Sequence, residues 1–318
     1  MQRYHRCYEI FKTKVKVRVR MDKVKKILLS LIVIALICAI VAIIANFVLS
    51  KTDNKSNPIV TMEIEGYGTV KIELYPDMAP NTVKNFIRLA QRGFYNGKTF
   101  NDIEDGLVRG GAAEDTQADT ESEETEDTES TIAEPKLSNI KDLAEGEEDK
   151  SYSIEGEFVE NGYNNNTLAH QRGVISMYRK TSSYYQQEIA MVEMMGYESY
   201  LDTILDNLYD SQTSEFFILT EDNSNFNGTF AAFGKVIEGM DVIDKISEVE
   251  LQTTTSDDGT ETTSTKPVTA PVISSVTVDT FGVDYGEPEV VDLFDFDAIF
   301  NVFMQSYMQS AGQTTTAE

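Results

Sequence analysis

Val60, Met62 and Ile64 alternate with polar neighbours, Gly66 and Gly68 interrupt, and Val70, Ile72 and Leu74 resume the alternation. A period of two on both sides of a glycine pair predicts a β-hairpin with one buried face. Pro76 and Pro80 end the second strand. Asn81 or Thr82 can then cap a helix in which Val83, Phe86, Ile87 and Ala90 fall at helical spacing until Gly93. Asn96-Gly97 is a tight-turn dipeptide leading into a strand that begins near Thr99. Thr253 to Thr265 is polar, rich in Thr and Asp, and reads as a loop, while Ile273 to Val278 reads as the last strand.

Two longer segments break this β pattern. From Ala112 to Lys150 the sequence turns to Glu, Asp and Thr, with Asp115, Asp119, Glu121, Glu123, Glu124, Glu126, Asp127 and Glu129 close together. So little apolar surface remains there that an exposed, disordered loop is expected. A calcium loop needs carboxylates spaced around a central glycine, and that spacing is missing. From Thr181 to Asp210, Ile189, Val192 and Met195 predict a short helix before Gly196, and Tyr197, Leu201, Ile204, Leu205 and Leu208 line one face of a second. The resulting helical hairpin can pack on itself and on the β domain, or serve as a lid or binding arm through its Tyr and Met side chains. Past Asp292, the stripe Phe296, Phe300, Phe303, Met304, Tyr307 and Met308 predicts an amphipathic helix. Asp292, Asp295 and Asp297 stand near its start, where the helix dipole favours them. So aromatic a stripe is expected to dock on the domain or on a partner.

The N-terminal pattern has neither period. Ile27 to Leu49 is a run of 23 uncharged residues, enough to cross a hydrocarbon core of about 30 Å as a helix. Lys12, Lys14, Lys16, Arg18, Arg20, Lys23, Lys25 and Lys26 all precede it. The positive-inside rule therefore puts the N-terminus in the cytoplasm and everything after Lys51 outside. A cleaved signal peptide, with Val48 and Ser50 before the cut, is the alternative, although signal cores run about 7 to 15 residues. Met21 is an alternative start.

Charge sharpens this picture. The first 26 residues hold ten Lys or Arg against Glu9 and Asp22, which leaves −34 on the rest of a chain whose formal charge is −26. A body that acidic repels phosphate backbones, so nucleic acid is not an expected partner. The two cysteines, Cys7 and Cys38, fall in the basic tail and the apolar run, so the exported part has no thiol or disulfide chemistry.

Phe216-Phe217-Ile218, followed by Ala231-Ala232-Phe233-Gly234-Lys235-Val236-Ile237-Glu238-Gly239-Met240-Asp241-Val242, resembles the cyclophilin family of peptidyl-prolyl isomerases. Glu73 to Phe86 is similar to the family's second strand and first helix, Gly93 to Phe100 to the approach to its active-site strand, and Arg172 to Met177 to its central strand. The resemblance covers roughly residues 59 to 280 and implies a mainly β fold: a closed eight-stranded antiparallel β-barrel capped by two helices, the second starting near Met240. The chain then divides into a basic cytoplasmic tail (1–26), a transmembrane helix (27–50), a linker (51–58), the cyclophilin-like domain (59–280) carrying the acidic loop 112–150 and the helical insertion 181–210, and a tail (281–318) with its amphipathic helix.

The family's chemistry is rotation about an Xaa-Pro amide, which resonance opposes by about 18–20 kcal/mol. An apolar pocket that grips the proline ring and a guanidinium that donates to the prolyl nitrogen as it pyramidalises lower that barrier, with no nucleophile, metal or cofactor. By resemblance, Phe217 stands at the pocket phenylalanine, Phe226 at its leucine and Leu107 at its methionine. Asn101 and Asp102 stand where the family has His-Arg, so Asp102 occupies the position of the catalytic arginine. Arg109 and Glu215 stand at two glutamines, Asn225 at a residue linked to macrocycle binding, Phe230 at a histidine, and Tyr178 at a small groove residue. Arg109 could pair with Asp102 and Glu215 and substitute for the missing arginine, or form a plain cross-strand ion pair. His170 is read as structural. The chain is thus expected to be a membrane-tethered prolyl isomerase assisting exported proteins. The alternative is a cyclophilin-like module at the cell envelope that binds proline-containing peptides without turnover.

Overall fold

In a computed structural model, residues 56–113, 134–182, 186–196, 201, 204, 207–255, 261–293, 300–305 and 307–308 are described. The transmembrane helix, the basic tail, the acidic run up to residue 133, Tyr197, Leu205 and Phe296 lie outside the described residues. Among the described residues no helix is long and apolar enough to cross a membrane. Asn57–Glu318 forms one compact unit.

Its centre is an antiparallel sheet of eight strands. In chain order the first four are β1 (Ile59–Ile64), β2 (Gly68–Leu74), β3 (Phe100–Glu104) and β4 (Leu107–Gly110). A two-residue β5 (Tyr152–Ser153) precedes β6 (Val174–Met177), β7 (Phe216–Leu219) and β8 (Ala231–Glu238). After these come β9 (Leu251–Thr255), β10 (Glu261–Pro267), β11 (Ile273–Asp279) and β12 (Val291–Asp292). The sheet order is β11-β1-β2-β8-β6-β7-β4-β3. The β1–β2 hairpin forms as its alternation predicts, turning through Gly66 and Gly68, both at positive φ, where a side chain would be strained.

The expected closed barrel is a strongly curled sheet instead. Its edge strands β3 and β11 share no ladder; the chain ahead of each meets at one isolated bridge, Thr99 to Val272, flanked by backbone bonds from Phe100 N to Pro271 O and Ile273 N to Lys98 O. Pro271 lacks an N–H, so pairing cannot extend past it as a regular ladder.

Three α-helices are described: α1 (Pro80–Gln91), α2 (Gln186–Met194) and α3 (Met240–Ser247). Pro80 pre-sets the first turn of α1. The exposed backbone donors of that turn are met from a distance, because the Glu157 carboxylate accepts from Asn81 N at 2.9 Å and from Thr82 N and Oγ1 at 2.8 Å each. Helix α1 lays Val83, Phe86, Leu89 and Ala90 on the sheet. Phe86 stacks on Tyr95 at 4.9 Å between centroids and meets Phe216 and Phe233 at 5.9 and 5.4 Å, forming the aromatic centre of the core.

Two parts of the chain differ from their sequence expectation, and the described part of the tail stripe docks on the domain as expected. Residues 134–150 are not a loose loop: Leu137 and Ile140 enter the main core through a 3₁₀ turn at Leu137–Asn139. Thr253 to Thr265 is not a loop, since β9 and β10 pair across it with Thr253 opposite Thr263; Thr is β-branched, and polarity hid its strand preference. Phe303 packs with Val192, Ile204 and Leu208 in a separate small core, so the tail stripe docks on the helical insertion.

Candidate functional site

Alternation along β7 separates the two faces of the sheet. Phe216 and Ile218 join the main core, while Phe217 and Leu219 join a second apolar cluster on the outer face with Leu107, Val174 and Ala232. Phe226 and Phe230, from the loop between β7 and β8, fold onto this cluster. The centroids of Phe217, Phe226 and Phe230 stand 5.5, 5.2 and 5.1 Å apart, edge to face, so no further ring fits between them. Phe226 and Phe230 are half-buried, and Phe217 lies behind them at 2% exposure.

Register brings the polar residues to the same face. Arg109 pairs with Phe217 across β4–β7 and with Asp102 across β3–β4, where the ladder slips between Phe100 and Asp102. That irregularity keeps Phe100 in the core while Asp102 faces Arg109. The Arg109 guanidinium binds the Asp102 carboxylate, lies 3.9 Å from Glu104 and stacks on the Tyr178 ring at 4.1 Å. Lys266, carried by β10, reaches the same Asp102 oxygen at 3.4 Å. Asp102 Oδ1, Arg109 Nε, Asn101 Oδ1 and Ser214 Oγ are buried and have no hydrogen-bond partner among the described residues.

Beside the apolar cluster lies a cleft of ≈ 200 Å³ lined by Asn101, Arg109, Tyr178, Lys180, Glu215 and Lys266 among others. Its floor is held from the core: Asn85 Nδ2 donates to Thr213 O at 2.6 Å and Tyr95 Oη to Ser214 O at 3.0 Å. Tyr178 N donates to Glu215 O at 2.8 Å, fixing the two residues that flank Arg109. Burial pushes the Tyr178 hydroxyl pKa up, with the nearby Arg109 charge opposing, so it stays a neutral donor. Asn225 is exposed on the 3₁₀ turn Ser224–Phe226, its N–H held by Asn223 Oδ1 at 3.1 Å.

His170 is buried behind the cluster, its ring 6.3 Å from Phe217, with Ser176 Oγ 2.9 Å from Nε2 and Asn227 Oδ1 3.3 Å from Nδ1. Burial holds its pKa down at about 4, so the ring is neutral at pH 7. The structure therefore gathers Leu107, Phe217, Phe226 and Phe230 into one patch, and Asp102, Arg109, Tyr178 and Glu215 beside it. Lys266 escapes sequence reasoning because it lies just past the stretch read as a loop and meets Asp102 only through β10. Arg179 escapes because its partners are scattered along the chain.

A mainly β, curled antiparallel sheet of eight strands with few helices is a cyclophilin-like fold. The profile of the cyclophilin type peptidyl-prolyl cis-trans isomerase/CLD family matches residues 59–193 and 204–278, so the chain belongs to that family. A peptidyl-prolyl cis-trans isomerase of Acinetobacter baylyi is 28% identical over 219 residues, 67% of this chain and 84% of the relative. Peptidyl-prolyl cis-trans isomerase B of Escherichia coli is 26% identical over 58% of this chain and 80% of its own, and the B isomerase of Bacillus subtilis 25% over 59% and 90%.

Proposed function

We propose that the chain is a membrane-tethered, extracytoplasmic prolyl isomerase for exported proteins, with a rebuilt site in which Arg109 supplies the donor that Asp102 no longer can. The observation that carries this is register: Arg109 sits directly opposite Phe217, so its guanidinium stands beside the surface that would take a proline ring. Asp102 and the Tyr178 ring fix that fork, which is the condition for a donor to stabilise a transition state without reorganising. Phe217, Phe226, Leu107 and Phe230 provide the apolar contact, Glu215 and Tyr178 flank the groove, and Asn225 lies at its rim. No metal or cofactor takes part. The uncharged run Ile27 to Leu49 and the basic residues before it support the tether and the outward placement of the domain.

The close packing of Phe217, Phe226 and Phe230 and the engagement of Arg109 by Asp102 favour one other reading, a module that binds proline peptides without turning them over. A protease-coupled assay on an Xaa-Pro peptide, using the full chain in detergent, separates the two. A catalyst accelerates isomerisation at catalytic amounts, and Arg109→Ala lowers kcat/KM by about a hundredfold. A module binds the peptide and accelerates nothing. Equal rates for wild type and Arg109→Ala would remove Arg109 from the chemistry. Protease accessibility in right-side-out against inverted vesicles tests the placement: digestion of the domain only in inverted vesicles would overturn it.

A further inference from the structure

Arg179 is 7% exposed and enclosed by aromatic rings from three distant parts of the chain. Its guanidinium carbon lies 5.2 Å from the Phe158 centroid, 5.0 Å from Tyr209 and 5.1 Å from Phe230. Its Nε donates to Thr229 O at 2.9 Å and its Nη1 to Lys180 O at 3.2 Å. No carboxylate lies within ion-pair distance of it among the described residues, although burial makes its charge costly and lowers its pKa. A buried arginine held by ring faces and carbonyls fixes the directions of those groups more than it stabilises the fold, since a planar cation over three quadrupoles has few equivalent placements.

The three rings belong to functionally different places. Phe230 is the half-buried rim of the outer-face patch, and Thr229, whose carbonyl Arg179 also binds, precedes it. Tyr209 ends the second helical segment of the insertion, whose Ile204 and Leu208 pack with Phe303 of the tail. Phe158 stands against Tyr209 at 5.6 Å and belongs to the main core. Arg179 is thus the contact through which the insertion and the patch touch the same group.

We infer that Arg179 is a positioning residue: it sets the Phe230 rim and transmits to it the packing of the helical insertion through Tyr209. The consequence for peptides rests on the proposed function; the placement of the Phe230 ring does not. The test uses the full chain in detergent with 4-fluorophenylalanine introduced at position 230 and read by ¹⁹F NMR. Arg179→Met is expected to shift the resonance toward its solvent-exposed position and broaden it, with Arg179→Lys recovering part of the change. Tyr209→Ala, which leaves the patch itself untouched, is expected to move the resonance in the same direction by a smaller amount. An unmoved resonance in Arg179→Met overturns the positioning role, and an unmoved one in Tyr209→Ala overturns the link to the insertion. If Arg179→Met does not fold, Arg179→Lys and Tyr209→Ala still decide. On an Xaa-Pro peptide, Arg179→Met is expected to raise KM about three- to tenfold at nearly constant kcat, the size of one buried cation–π contact. Absence of any peptide binding by the wild type would sink the proposed function while the fluorine signal still judged Arg179.

Discussion

Phe216 and Phe217 are adjacent in β7, chemically identical and both almost fully buried, yet they do different work. Phe216 points inward, where Phe86, Tyr95 and Phe100 surround it at 5.7–6.0 Å between centroids. Phe217 points outward, where it meets two half-exposed phenylalanines, a buried histidine and the arginine paired across the strand. The inner face admits one solution, because close-packed rings leave no room for a changed volume. The outer face is held by register and by the loops above it, so its polar residues can be exchanged while the sheet stays the same. Asp102 Oδ1 and Arg109 Nε, buried on that face, have no hydrogen-bond partner among the described residues. A structure tolerates such atoms where a ligand can later meet them.

Four perturbations would break or sharpen this contrast. The largest effect is expected from Phe216→Ala, which opens a cavity among three rings and should cost about 3–5 kcal/mol in denaturant unfolding. A cost below about 1 kcal/mol would mean that the inner face is as forgiving as the outer. Next, Arg109→Ala leaves the Asp102 carboxylate, 6% exposed, with Lys266 at 3.4 Å as its remaining cation among the described residues. It should lose about 2–3 kcal/mol, and Asp102→Asn/Arg109→Gln should lose less than Arg109→Ala alone, since both charges are then gone.

His170 tests the contrast through pH. Burial holds its folded pKa at about 4, below the ordinary histidine value of 6.5, so the fold favours the neutral ring. Its contribution is present in full above the unfolded pKa and is lost as pH falls toward the folded one. Between pH 7 and pH 5 this amounts to about 2 kcal/mol of unfolding free energy. His170→Asn should flatten that part of the pH–stability curve; an unchanged slope would place the titration elsewhere. The smallest stability effect is expected from Phe230→Ala, at most about 1 kcal/mol for a half-exposed ring. The same variant should weaken proline-peptide binding severalfold in calorimetry. A variant that unfolds readily and still binds would invert the roles assigned to the two faces.

Much of the inner architecture was legible along the chain. The alternation in Val60 to Leu74 gave the first hairpin, Pro80 and the spacing of Val83 to Ala90 gave α1, and the family resemblance placed a helix start near Met240, where α3 begins. The motif around Phe216-Phe217-Ile218 led to the family. The errors fall where composition and tertiary context disagree. The Thr-rich segment pairs as β9 and β10 because a strand partner was available, and Leu137 and Ile140, two apolar residues in an acidic stretch, are drawn into the core. Closure of the sheet depended on how two edges meet at Thr99 and Val272, which no local pattern encodes.

The sequence by itself determined which residues are inward along β1, β2 and α1, because burial of one face imposes a period of 2.0 or 3.6 that can be read without coordinates. It also determined that the chain carries one long uncharged run, because length and charge are properties of the string. Only the tertiary structure decided what the outer face holds. Lys266 meets Asp102 across 164 residues, Glu157 caps Thr82 across 75, and Arg179 collects rings from positions 158, 209 and 230. Contacts of that kind have no period. They exist because folding brings distant charges and rings within a few ångströms in a site that water has largely left, where each partner's worth is set by what else surrounds it.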